Sequence, residues 1–335
     1  MIKTHIPSFA FMVLTYNHED YILEHLQSIK YLINSFGKSI DVDIIINDDC
    51  SRDDTCYLID QWLKINKDLF RYTETIYNRT NLGTCKSVKN LVSKLKADNC
   101  KLTAGDDVYS YENIFELLKC KSDTAISSGR PLFLYGDNLM FDRVSNVLAT
   151  ATQIIYKKDS LLHRFKHFSY NNAPNILYSR NCLTNSEVLL HLDQFDVIED
   201  WPLQIAIARQ FPTFKFKLID KVFVYYRRTQ GSIFIVANDR FKKDKESIYN
   251  DLIKKEQKLI ERIRLSSRKF CFKTDNRVVN KLLNLDFYLF GLSFFLNLFK
   301  IFKKEKTLAM SVDLHQKHYF EIRSQALNLR ISLCR

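Results

Sequence analysis

Four apolar runs in the first third of the chain, each followed by a stretch of helix length, constrain the fold more than any other feature. The runs are residues 8–16 (SFAFMVLTY), 42–48 (VDIIIND), 72–78 (YTETIYN) and 100–104 (CKLTA). Between and after them lie amphipathic stretches at 21–35, 54–65, 84–96 and 112–119. Strands joined by connections of helix length pair in parallel and need helices on both faces, so an α/β fold with a mostly parallel central sheet is expected. In such sheets ligands bind beyond the carboxyl ends of the strands. The four tips are Thr15-Tyr16-Asn17, Asp48-Asp49, residues 78–83 and Asp106-Asp107, all polar, two of them paired acids. A lone Asp-Asp pair is most simply a solvated turn. Two such pairs at neighbouring strand ends can instead face one crevice.

The second half is more mixed. Residues 131–141 and 214–228 read as strands, 142–171 as loop and short helix, and 197–211 as a helix entered through Glu199-Asp200. With 335 residues, 46% of them hydrophobic, the chain can build one large or two ordinary cores. Only 7 Gly and 5 Pro argue against a disordered or linker-rich protein. Eight cysteines without CxxC spacing fit reduced thiols in the cytoplasm. The opening apolar run, broken by Tyr16, Asn17 and His18, reads as a strand rather than a signal peptide. The histidines show no ligand spacing and are expected to be structural or superficial.

An aromatic at the first tip, Tyr16, can stack on a nucleotide base, and a carboxylate at the second, Asp49, can accept from a base N–H or from ribose hydroxyls. No GxGxxG or P-loop glycine cradle is present. A diphosphate would therefore need a divalent cation, and Asp106 and Asp107 are hard oxygen ligands suited to Mg²⁺ or Mn²⁺. Lys86 and Lys89, opening the next helix, add positive charge. Taken singly, each has a plainer reading: Tyr16 as strand-end packing, Glu199-Asp200 as acids at a helix N-terminus, the lysines as a solvated face. Their joint placement carries the inference.

Six blocks, VLTYNHEDYILEHLQSI, IIINDDCSRDDT, NRTNLGTCKSVKN, LTAGDDVY, VIEDWPLQIA and YYRRTQGSI, stand in the order found in family 2 glycosyltransferases of GT-A fold, which the chain resembles over about residues 7–235. It looks like the bacterial members that build O-antigen, capsule or lipooligosaccharide. The resemblance implies that Thr15 and Tyr16 meet the nucleotide base, with Asn17 also in the nucleotide-sugar site, and that Asp49 reads the base edge with Asp48 beside it. Asn81 and Lys89 fall near the ribose and diphosphate. Asp106 would meet the ribose or metal and Asp107 the metal, Mn²⁺ or Mg²⁺. Asp200 matches the catalytic base, supported by Glu199, and Arg227, Arg228 and Ser232 match a loop that closes over the donor. Ala104 stands where the family often has a further acid, which leaves fewer protein ligands for the metal. The implied reaction is inverting, metal-dependent transfer from a nucleotide-diphosphate sugar, foremost a UDP-sugar, to a saccharide or undecaprenyl-linked acceptor. The alternatives are a nucleotidyltransferase, whose glycine-rich loop is missing after the first strand, and a catalytically degenerate GT-A scaffold, against which Asp49, Asp107 and Asp200 stand.

Residues 1–235 form the expected glycosyltransferase domain, with a nucleotide-binding half at about 7–110 and an acceptor half at 111–235. They carry 28 Lys+Arg against 27 Asp+Glu, whereas residues 236–335 carry 22 against 11. Of the net charge of +12, +11 thus belongs to the last hundred residues, which are expected to form a basic, helical C-terminal extension. There, 239–269 reads as an amphipathic helix. Residues 281–306 form an apolar stretch bracketed by lysines and too interrupted for a spanning helix. Two readings of that stretch stay open: a helix in the interface of an anionic membrane, which would make the protein peripheral on the inner face of the cytoplasmic membrane, or a buried helix of a C-terminal region. Nucleic acid is not an expected partner, because the basic segment is interrupted by apolar sequence.

Overall fold

A computed structural model describes residues 6–119, 125–228, 239–274, 276–308 and 310–333. Strands β1 (Ser8–Thr15), β2 (Asp41–Asp48), β3 (Tyr72–Tyr77) and β4 (Asn99–Ala104) run parallel in the spatial order β4-β1-β2-β3. β1 and β2 are buried almost throughout, which is why their sequences run apolar instead of alternating. Phe9, Phe11 and Val13 face helices α1 (Ile22–Phe36) and α2 (Thr55–Asn66), among Leu26, Ile29, Ile59 and Trp62. Ala10 and Met12, on the other face, meet Val88 and Leu91 of α3 (Thr84–Ser93). This is the period-2 division of a strand between two helical layers. The register sets Thr15 opposite Asp48 and Leu14 opposite Ala104, so the strand tips end at one level.

Beyond β4 the sheet continues through β9 (Ile176–Ser179), antiparallel to both β4 and β6 (Ala125–Ser128), to β10 (Lys215–Leu218), parallel to β6. The seven-stranded sheet is thus mostly parallel, as expected. A smaller sheet, in the order β5-β11-β7-β8, joins β5 (Val108–Tyr109), β11 (Val224–Arg227), β7 (Leu132–Tyr135) and β8 (Asn138–Met140). Two strand expectations need correction. Residues 131–141 form a hairpin turned at Gly136, whose φ of +56° favours glycine. Residues 214–228 divide between the two sheets, and the intervening Asp220 is held by Arg130 at 2.7 Å. The stretch after Asp142 is more helical than expected. Asp142 accepts from Val144 N–H and caps the thirteen-residue α4 (Arg143–Ile155), and α5 (Leu161–Lys166) follows. Short helices α6 (Arg180–Leu183) and α7 (Ser186–Leu192) lead to α8 (Asp200–Gln210), whereas 112–119 yields only the 3-10 segment Ile114–Lys119.

The basic C-terminal region is helical: α9 (Asp239–Lys255), α10 (Leu259–Lys273), α11 (Arg277–Leu283), α12 (Leu285–Leu296), α13 (Leu298–Lys306) and α14 (Val312–Leu333). It is bound closely to the rest. Ile248 and Leu252 of α9 join the core around α3 and α8, and Tyr319 and Ile322 of α14 join Leu132, Leu134 and Tyr225. A buried clasp ties α10 and α12 to α5. His167 Nδ1 lies 3.0 Å from Asp286, and its Nε2 meets Glu261. Arg264 and Arg268 reach Asp286 at 2.5 and 3.4 Å, and Lys166 lies 3.7 Å from Glu261, so the acids are matched by cations. Burial raises the Asp286 pKa, but His167 and these arginines outweigh it and hold the carboxyl at about 2.

Candidate active site

The carboxyl tips of β1, β2 and β4 are laced together by their own polar residues. Asp48, buried, accepts from Thr15 Oγ1 at 2.8 Å, Ser51 N at 2.8 Å and Ser51 Oγ at 2.5 Å. Asn17 adopts a φ of +55°. Its N–H donates to Ser51 Oγ at 2.7 Å and its Oδ1 accepts from Arg52 N at 2.9 Å. Asp48 and Asn17 therefore fasten one turn to the next. Tyr16, between them, stays 44% exposed with its ring at the tip.

Asp49 seats the loop that precedes α3. Its carboxylate accepts from Asn78 Nδ2 at 2.9 Å, Leu82 N at 2.7 Å and Gly83 N at 2.9 Å. Gly83 has a φ of +87°, and a Cβ there would lie 2.3 Å from Asp196 Oδ1. Only glycine suits that bend. Asn81 reaches the Asp49 carbonyl at 3.5 Å and accepts from Arg240 at 3.2 Å. Arg240, an unforeseen neighbour from α9, also pairs with Asp196 at 2.6 Å. Lys86 is exposed beside Asp196, and Lys89 is paired with Asp193 of the α7–α8 connection at 2.5 Å.

After β4 the chain turns at Gly105, where a Cβ would meet Thr15 Cγ2 at 2.7 Å; glycine lets the turn pass close under the β1 tip. The two acids of this turn diverge. Asp107 is 2% exposed; its Oδ1 accepts from Arg227 N at 2.9 Å and its carbonyl bonds His25 Nδ1 at 2.8 Å. Burial, then the neighbouring Asp106 charge, push its pKa well up. Lys101 lies buried nearby, pushed down to about 7 by its own burial while Asp107 opposes the shift. Asp106 is only partly buried, and no hydrogen bond among the described residues occupies its carboxylate. Arg227 does not reach outward as a closing-loop residue: Nε donates to the Asp106 carbonyl at 2.6 Å, and the guanidinium is buried against Glu24. Tyr319 of α14 donates to the same Glu24 at 3.3 Å. Arg228 bonds Leu134 through its N–H at 2.9 Å and lies over the rings of Tyr226 and Phe133. Ser232 lies outside the described residues.

Glu199 and Asp200 open α8. Asp200 Oδ1 accepts from Trp201 N at 2.7 Å. Burial and then the adjacent Asp200 push Glu199 up to about 8, and burial raises Asp200 as well. The segment that delivers them is fixed by Asp244 of α9, which accepts from the N–H groups of Asp196, Val197 and Ile198 at 2.9, 2.7 and 3.0 Å. Tyr226 of β11 links the two acid pairs: burial first, then Asp107, and less strongly Asp106 and Asp200, raise its pKa. Tyr226 is thus within electrostatic reach of both Asp106 and Asp200. Tyr226 had a signal in the sequence, because it stands between Arg227 and the buried Tyr225 on a strand that ends at the crevice.

Paired acids at a parallel sheet's carboxyl edge, one of them with an open carboxylate, and a second, buried pair at the start of α8 suit group transfer. A family model described as "Glycosyl transferase family 2" matches residues 11–183, just over half of the chain. The chain belongs to glycosyl transferase family 2. As a member it is a glycosyltransferase, and its mostly parallel sheet flanked by helices is the GT-A fold. No curated protein matches the sequence. Among solved structures it is similar to Staphylococcus aureus TarS at 14% identity and a TM-score of 0.55; the match covers 81% of this chain and 44% of TarS. A TarS fragment, residues 1–349 with UDP-GlcNAc, matches at 14% identity and a TM-score of 0.55, covering 79% of this chain and 72% of the fragment. The mannosyltransferase PcManGT from Pyrobaculum calidifontis, with GDP-Man and Mn²⁺, matches at 12% identity and 0.54, covering 97% of this chain and 88% of that one. At these identities the likeness concerns the fold.

Proposed function

We propose that this family 2 glycosyltransferase moves a sugar, with inversion, from a nucleotide-diphosphate donor to a saccharide or lipid-linked saccharide in bacterial surface-polysaccharide synthesis. The observation that carries the reading is the level carboxyl edge of β1, β2 and β4, where Asp49 and the open carboxylate of Asp106 stand, with Tyr226 of β11 within electrostatic reach of both Asp106 and Asp200. Tyr16 supplies an exposed ring for the base. Asp49 has three acceptor sites filled by the loop before α3, which leaves it one for the nucleotide.

The donor set fits a divalent cation, with Asp106 as its protein ligand. Asp107, expected as the ligand, is instead assigned to anchor the turn, because it is buried and bonded to Arg227 N–H. A bound Mn²⁺ or Mg²⁺ would neutralise charge on the departing diphosphate. The Mn²⁺ in the PcManGT complex and the UDP-GlcNAc in the TarS complex support metal use and a nucleotide-sugar donor. Asp200 takes the proton of the acceptor hydroxyl as its oxygen attacks the anomeric carbon, and Glu199, protonated near neutral pH, keeps the pair at a single negative charge. The protein works in the cytoplasm, peripheral on the inner membrane face.

The test is a panel of nucleotide sugars, each assayed for Mn²⁺-dependent protection against thermal unfolding. Protection by one donor, strengthened by Mn²⁺, is expected; no protection by any nucleotide sugar overturns the reading.

A further inference from the structure

Helix α12 is apolar on both sides. Its inner side packs on α4, with Phe290 buried beside Tyr156 and Ile301. Its outer side carries Leu285, Tyr288, Leu292, Phe295 and Leu296 at spacings of three and four, and Phe299 stands exposed just past the bend, on α13. These six are exposed: Phe295 at 69%, Leu296 at 72% and Phe299 at 91%. No charged residue interrupts positions 287–299. A contiguous exposed apolar stripe of this kind marks a contact surface.

We propose that the α12–α13 elbow lies in the interfacial layer of an anionic bilayer. The occupant follows from length, shape and charge. Among the described residues no single helix is long and apolar enough to cross a membrane, and α12 and α13 are bent by 69° at their junction. Twelve residues of helix reach about 18 Å, short of the roughly 30 Å hydrocarbon layer. Together the two helices have the length and composition to span, but their 69° bend and the packing of Phe290 and Ile301 against α4 hold the elbow on the protein, so it lies in the membrane plane. Exposed Lys300, Lys303 and Lys306 follow the stripe directly, in a region with 22 basic against 11 acidic residues. A second copy is the poorer occupant, because a twofold contact through this stripe would bring both sets of lysines together with no acid among the stripe residues to face them. The surface stands on exposure and charge alone, independently of the donor and base assignments.

The test is flotation of the full chain with vesicles of neutral phosphatidylcholine and with vesicles enriched in phosphatidylglycerol. The wild type is expected to float with the anionic vesicles and to be released at about 0.5 M salt. Leu296→Ser with Phe299→Ser should weaken association about tenfold or more, and Lys300→Glu with Lys303→Glu should weaken it on anionic vesicles only. All four side chains are solvent-facing, so the variants keep the fold, checked by an unchanged unfolding temperature. The proposal is overturned if the wild type ignores anionic vesicles, floats equally with neutral ones, or floats undiminished as the double serine variant. A dimer that the serine variant dissolves, with no vesicle binding, assigns the surface to a second copy instead.

Discussion

Glu199 and Asp200 are adjacent acids held in a crowded site, and their protonation links stability to pH. Glu199 keeps its proton up to about pH 8 in the folded protein but only to about 4.3 when unfolded. The folded state thus binds more protons between those values, and stability falls as pH rises across them. Glu199→Gln removes the penalty. Its stability should equal or exceed that of the wild type at pH 5 and lead it by on the order of 1 kcal/mol or more at pH 9. Parallel unfolding curves at both pH values would contradict this assignment. At the other pair, Asp106→Asn is expected to abolish the Mn²⁺ enhancement of donor protection with little effect on the fold. Asp107→Asn should lower the unfolding temperature while leaving the Mn²⁺ midpoint near wild type; the reverse pattern would return the ligand role to Asp107. The sequence made both pairs visible but not their division of labour. Which acid of Asp106-Asp107 turns inward depends on Arg227 N–H, 120 positions away.

Among the elements, α1, β11 and α14 meet at Glu24. Its carboxylate faces the buried Arg227 guanidinium, which in turn holds the Asp106 carbonyl, and Tyr319 completes the contact. Removing one member of a buried ion pair strands the other, at about 3 kcal/mol or more. Glu24→Gln should therefore lower stability by that order and weaken donor protection together, whereas Tyr319→Phe should cost about 1 kcal/mol. Loss of stability with donor protection intact in folded Glu24→Gln protein would separate the network from the site. Of these elements α1, the strand around 224–227 and the helical character of the C-terminal region were legible beforehand, but not which side of α14 is buried. The buried side of α14 includes His315, His318 and Tyr319, residue types that do not announce a core face, and Glu24 is a buried acid in a helix read as simply amphipathic. The hairpin loop, Gly136-Asp137, is a two-residue turn signal, but its arms are so short that the whole of 131–141 has the length of one ordinary strand.

At the scale of the whole molecule, the parallel half was readable from continuous apolar runs, because strands buried on both faces leave no other pattern. The role of the C-terminal region in the site was not. Asp244 fixes the backbone that carries Glu199-Asp200, and Arg240 reaches Asn81, through contacts that no local sequence pattern encodes. Asp244→Ala leaves three N–H groups without their acceptor and should lower stability by about 2 kcal/mol and slow transfer more than it weakens donor binding. The proposed role of Asp200 is to take the acceptor's proton in a site that binds the donor without it. It is tested most directly by measuring, for wild type and Asp200→Asn, both Mn²⁺-dependent thermal protection and the rate of nucleoside diphosphate release with the donor found by the panel. Wild-type protection with release slowed about a hundredfold or more is expected; release near the wild-type rate rules out Asp200 as the base.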